Sequence, residues 1–155
     1  MASSDNSPLP LRDVKVVDFG QYMAGPAVAM ILADLGATVV HIDPPGGPLW
    51  HSPANATLSR NKLIVTIDLK SPEGLEQALA LVEEADIVVE NFRPGVLARF
   101  GLDFAALSAR NRRLIMLSIS GFGQGGPESQ RAAYASVLHA ESGLIKSMIA
   151  NVHAA

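Results

Sequence analysis

Val14–Pro26, VKVVDFGQYMAGP, opens the pattern from which the architecture of this chain follows. Val14, Val16 and Val17 form a β-branched run that predicts a buried strand ending near Asp18–Phe19. Gly20 and the pair Gly25–Pro26 then punctuate a loop. Beyond it Val28, Ile31, Leu32 and Leu35 recur at i, i+3, i+4 and i+7, which marks one apolar face of a helix. Gly36 is a natural helix stop, and Ala37–Ile42 supplies a second buried strand. Strand, helix and strand in so short a span make a βαβ unit, whose parallel strands require a right-handed crossover. The loop at 20–26 then lies at the carboxyl end of the first strand, where open parallel sheets meet their ligands.

The alternation continues along the chain. Pro44–Pro53 is a Pro- and Gly-rich loop that exposes Trp50, and Lys62–Ile67 (KLIVTI) predicts a third strand. Ser71 caps a helix with Pro72 at its first position and Glu73 in its first turn. Leu75, Ala78, Leu79 and Val82 give that helix its apolar face. Asp86–Val89 predicts a fourth strand, ending in Glu90–Asn91–Phe92. Pro94–Phe100 predicts a short helix stopped by Gly101, and Asp103 caps another reaching about Ala109. Leu114–Ile119 predicts a fifth strand, and Gly121–Pro127 a loop. From about Ala135 the composition is helical without a clean apolar stripe. Strands alternating with helices predict an α/β fold: a Rossmann-like open, mostly parallel sheet with helices on both faces. The expected division is a flexible tail over 1–10, a Rossmann-like domain over 11–145 and an irregular or truncated end over 146–155.

Of the 155 residues 48% are apolar and 17% charged, which marks a globular chain rather than a disordered one. A net charge of -3 leaves no basic footprint for nucleic acid. With no cysteine there is no disulfide, no thiolate nucleophile and no cysteine-bound metal. Met1–Pro10 lacks the apolar core of a secretory signal, and no run of about 18 apolar residues is present to cross a membrane. The expectation is a soluble, cytoplasmic protein.

Four patterns bear on chemistry. A dinucleotide loop would need G-x-G-x-x-G between the first strand and helix. Only Gly20 and Gly25 stand there, although Asp43 has the place of a ribose-binding acid. His41, His51, His139 and His153 lack metal-ligand spacing and read as scattered surface or core residues, so no metal is expected. Gly121–Gly126 reads as a turn before an anion cradle, since no Lys and Ser/Thr follow as in a P-loop. Glu90–Gly95 (ENFRPG) is more informative: an amide, an aromatic face and a cation stand together at the carboxyl end of the fourth strand. With Lys70 after the third strand and Arg99 on the next helix, this rim suits a phosphate-bearing organic ligand. The alternative is a plain strand-to-helix turn with Pro94 at the first helical position.

Longer stretches carry a family resemblance. VKVVDFGQYMAGPAVAMILADLGATVVHID, RNKLIVTIDLKSPEG, ADIVVENFRPGVLARFGLDF and LIMLSISGFGQGGP, in this order and spacing, resemble the opening of the family III CoA-transferases (the CaiB/BaiF family). The resemblance runs from about Leu11 to Leu144. It implies an enzyme that moves CoA between an acyl-CoA and a carboxylic acid, working as an interlocked homodimer. Coenzyme A would be bound by Tyr22, Met23 and Ala24 after the first strand, and by Ile67 and Lys70 after the third. Asn91 and Phe92 after the fourth strand, and Arg99 and Phe100 on the next helix, complete the implied site. Pro44 stands where formyl-CoA-type members place an arginine, so contacts at that corner differ.

The family's nucleophile is an aspartate that attacks the thioester, giving a mixed anhydride and then an enzyme–CoA thioester. Its place is expected beyond Ala155, and Asp103, Glu128 and Glu141 do not match it. No catalytic residue is therefore expected among the 155, which read as the N-terminal CoA-binding portion of a longer enzyme and as inactive alone. Racemase members carry a His–Asp pair where this chain has Tyr134–Ala135, which favours transfer. The alternatives are a 2-methylacyl-CoA racemase or isomerase of the same family and a non-catalytic remnant.

Overall fold

Five strands, β1 (Lys15–Asp18), β2 (Thr38–Asp43), β3 (Lys62–Thr66), β4 (Ile87–Glu90) and β5 (Ile115–Ser118), pair in the order β3-β2-β1-β4-β5. Every neighbouring pair is parallel. The computed structural model describes residues 9–152. Six α-helices lie among them: α1 (Ala24–Asp34), α2 (Ala54–Leu58), α3 (Pro72–Glu83), α4 (Phe104–Arg110), α5 (Ala135–Glu141) and α6 (Leu144–Val152). The expected α/β sheet with helices on both faces is found. Because β1 is central and the chain winds outward from it in both directions, the sheet has its topological switch at the carboxyl ends of β1 and β4.

Successive strand residues point to opposite faces, and the core divides accordingly. Val16, Val39 and Val89 join Ala29, Ala33 and Ala37 in a cluster beneath α1. Val17, Ile42 and Val88 face the other way, onto Ala78 and Val82 of α3 and Leu107 of α4. Burying each such valine is worth about 1.5–3 kcal/mol, and the two clusters clamp the sheet from both sides.

α1 departs from expectation in two ways. It starts at Ala24, so Gly25 and Pro26 lie in its first turn, where proline's missing N–H costs no hydrogen bond. Its buried residues are Gly25, Pro26, Ala29 and Ala33, while Ile31 and Leu35 are exposed; Val28 and Leu32 flank the seam. The expected large apolar face is rotated away because small side chains let the helix axis lie close to the sheet.

Elsewhere local chemistry acts as the sequence suggests. The Ser71 hydroxyl accepts from the Gly74 N–H at 3.0 Å to cap α3, and Asp103 accepts from the Ala106 N–H at 3.0 Å to cap α4. Gly101 ends the preceding turn in the left-handed region, φ 66°. That turn is shorter than the helix expected over 94–100, a 3₁₀ segment at Leu97–Phe100. The short α2 was not anticipated, and Trp50 just before it is half-buried rather than exposed. The irregular end expected from Lys146 is helical as far as Val152. The expected tail before Leu9, and His153, lie outside the described residues. Among the described residues no helix is long and apolar enough to cross a membrane, and no group of His, Asp and Glu is placed to hold a metal ion.

Candidate functional site

The segment leaving β1 is shaped by two close approaches. Asp18 Oδ1 accepts from the Gly20 N–H at 2.8 Å, turning the chain out of the strand. A Cβ on Gly20 would lie 2.7 Å from Gly25 Cα, and one on Gly25 would lie 2.7 Å from Gly20 Cα. The two glycines thus serve the closure of the loop on itself, not the approach of a pyrophosphate. Asn91, just past β4, fixes the middle: its Oδ1 accepts from Gln21 N–H at 2.7 Å and its Nδ2 donates to Gln21 O at 2.8 Å. The side chains left outward are those of Tyr22 and Met23, 56% and 58% exposed. Tyr22 sits at φ 62°, a backbone conformation costly for a bulky residue and typical of positions constrained by function.

Under the loop lies a buried set of polar side chains. Asp18 is 0% exposed, and its Oδ2 meets both His41 Nδ1 at 2.8 Å and Lys62 Nζ at 2.9 Å. His41 Nε2 lies 3.3 Å from Asp43 Oδ1, and Lys62 Nζ donates to the Pro26 carbonyl at 2.8 Å. Asp43 is thereby turned inward to His41 and is not free to hold a ribose. The sequence reading missed this network, yet a signal was there. Val16 and Asp18, and Val39, His41 and Asp43, alternate on the face that carries α1, so polar residues end each strand on one side. A small pocket of about 60 Å³ adjoins them, lined by Gln21, Tyr22, Trp50, Asn55 and Lys62 among others. That is far below the ~300 Å³ of an ordinary ligand cavity, too small to enclose a sizeable ligand by itself.

The residues expected to bind a ligand fall into distinct groups. Tyr22, Met23 and Ala24 are exposed around the loop apex and the start of α1. Ile67 is buried in the α3-side core, leaving only its main chain for a ligand. Lys70 is exposed just before α3. Asn91 faces the loop backbone, as described. Phe92 and Phe100 are half-buried against the core, and the Phe92 N–H is held by Glu90 Oε2 at 2.8 Å. Arg99 is exposed on the 3₁₀ segment.

β3 and β4 are separated by β2 and β1, so their ends stand roughly 14 Å apart at the usual strand spacing. Lys70 follows β3 and Arg99 lies on the 3₁₀ segment that follows β4. Among the described residues Lys70, Arg93 and Arg99 join no ion pair, whereas most other surface cations do. Past β5, Ser120 Oγ is buried without a partner among the described residues, a polar atom left over at the same edge of the sheet. At the Pro44 corner a turn, with Gly47 N–H donating to Pro44 O at 3.0 Å, brings no cation.

Residues 11–151 match the sequence profile of CoA-transferase family III. A stretch of 114 residues, 74% of the chain, is 65% identical to the CoA-transferase/lyase DddD of Marinomonas sp., covering 14% of that protein. Over 92% of the chain it is 43% identical to the succinyl-CoA–D-citramalate CoA-transferase of Chloroflexus aurantiacus, covering 38% of it. A crystal structure of a CAIB/BAIF family protein from Brucella suis superposes with a TM-score of 0.80 at 37% identity, over 88% of this chain and 40% of that one. Rv3272 of Mycobacterium tuberculosis gives 0.81 at 36% identity, over 90% and 42%. The chain thus spans less than half the length of these relatives. On the sequence match and the shared fold together, the chain belongs to CoA-transferase family III.

Proposed function

We propose that this chain supplies the acyl-CoA-binding part of an enzyme that moves CoA between an acyl-CoA and a carboxylic acid. The observation that carries the reading is the braced loop at the sheet's switch point, flanked on both sides by cations in no ion pair. CoA carries its phosphates together on its nucleotide half, and Lys70 and Arg99 are exposed cations suited to meet them. Tyr22, Met23, Phe92 and Phe100 offer apolar faces between them, and Ala24 lies at the start of α1, where backbone N–H groups point outward. Ile67 contributes through its backbone, and Asn91 by holding the loop. Acyl-CoA, when bound, would bring the thioester whose acyl carbon is attacked.

No carboxylate of this chain is assigned as the nucleophile. Asp103 is engaged as the cap of α4, and Glu128 and Glu141 both pair with Arg131. Tyr134 and Ala135, at the start of α5, offer no acid–base pair for racemisation, so transfer is the reading kept.

The test is a calorimetric titration of CoA into the chain, with Lys70→Ala and Arg99→Ala variants. Saturable binding, weakened roughly three- to tenfold by each change and further by salt, is expected. Absence of saturable binding, or binding indifferent to both substitutions, would overturn the reading.

A further inference from the structure

We infer that Lys62 is a positioning residue for the ligand-binding loop, acting through Asp18 and Pro26 without touching the ligand. The inference rests on the acyl-CoA reading for its functional consequence but on separate geometry for its mechanism. Lys62 opens β3, an edge strand, and its side chain crosses β2 to reach the end of β1. Its side chain is 1% exposed and its ammonium makes two contacts. One is to Asp18 Oδ2, whose partner oxygen turns the chain at Gly20. The other is to the Pro26 carbonyl in the first turn of α1. A single cation therefore grips the residues on either side of the Gly20–Gly25 approach, and the loop between them is closed at its base.

The division of labour follows. Asn91 holds the middle of the loop from β4, and Lys62 holds both ends from β3. Tyr22 and Met23, carried at the apex with Tyr22 in a strained conformation, are presented outward only while both braces stand. His41 and Asp43 complete the charge surroundings of Asp18; Glu90, the other buried acid here, faces the opposite side of the sheet. An ammonium can bridge a carboxylate and a carbonyl at once, because it has three donors and no acceptor. Neither a methionine nor a glutamine of similar length reproduces that pair of contacts.

The experiment compares the wild-type chain with Lys62→Met and with the paired change Asp18→Asn/Lys62→Met. The pair removes both buried charges yet keeps a side-chain oxygen for the Gly20 N–H, so it remains informative if the single variant does not fold. Amide hydrogen exchange is read at Gly20 and Gln21, with Val88 and Ala78 in the core as reference, and CoA affinity is measured alongside. Exchange at the loop accelerated at least tenfold more than at the core amides, with CoA bound about tenfold more weakly, is the expected result. A folded variant whose loop amides exchange as in wild type overturns the inference, whatever CoA does. Faster loop exchange in a variant with unchanged CoA affinity overturns the functional half of it. If loop exchange rises but wild type itself fails to bind CoA, the acyl-CoA reading falls while the loop-positioning role stands.

Discussion

Asn91 grips Gln21 with both ends of its amide, accepting from the Gln21 N–H and donating to the Gln21 carbonyl across 70 positions of sequence. This two-way bridge joins β4 to the loop after β1, the two strands that flank the switch point. Asn91→Ala leaves both Gln21 groups without their partner, and it should cost about 1–3 kcal/mol, as for other part-buried polar groups left unpaired. Asn91→Asp should be no better, because it sets a carboxylate oxygen against the Gln21 carbonyl. Thermal unfolding measures the loss, and CoA titration should show weaker binding in both variants.

A glycine contrast tests the loop's self-closure. Gly25→Ala places a methyl 2.7 Å from Gly20 Cα, a backbone atom that cannot step aside. The expected penalty is about 1–3 kcal/mol from overpacking. Gly125→Ala meets nothing within 4 Å and should leave the denaturation midpoint unchanged. Equal midpoints for the two variants would contradict the close approach.

Lys62→Met should be more damaging than the paired Asp18→Asn/Lys62→Met. Breaking a buried ion pair by removing one partner strands the other charge and typically costs about 3–5 kcal/mol, whereas removing both can be nearly neutral. Chemical denaturation of the two variants reads the difference directly. A single variant as stable as the pair would show that His41 and the Gly20 N–H suffice to hold Asp18.

The exposed Lys15–Glu84 pair, at 2.9 Å, sets a small pH dependence. The hydrogen bond from Lys15, then its charge, lowers the Glu84 carboxyl below its ordinary 4.5. The same contact raises Lys15 above 10.5. A depressed acid gives stability that is present above pH 4.5 and lost as pH falls through the lowered value. A raised base gives stability that is present below 10.5 and lost as pH climbs through the raised one. Glu84→Gln should therefore lie slightly below wild type in Tm across that window, and converge with it at both ends. Salt should shrink the gap, since both side chains are exposed.

Elements whose signals are local were legible in the sequence. Ser71, Asp103 and Gly101 act where caps and stops are expected, because each satisfies or releases backbone groups within a few residues. Strand runs such as Val16–Val17 and Val88–Val89 were equally plain. The buried face of α1 was not, because an apolar stripe of Ile31 and Leu35 outweighs alanines on any hydrophobicity count, while distance to the sheet favours Ala29 and Ala33. The site divides the same way. Lys70 and Arg99 can be noted singly as cations after the third and fourth strands, whereas Tyr22 enters through the family resemblance alone. Gln21 and Lys62 matter through partners on other strands, which no local spacing reveals.

The dependence of Gln21 on Asn91 also orders events during synthesis. β1, β2 and β3 emerge in succession and can pair as they leave the ribosome, but the other edge of β1 stays open until β4 is made. Until then a central strand behaves as an exposed edge, the part of a sheet most prone to pairing with a foreign strand. The loop after β1, though among the first segments translated, is among the last to acquire its shape. A nascent chain ending before Asn91 would hold the apex residues without the frame that presents them, so the loop's shape arrives with the end of β4 and not with the loop itself.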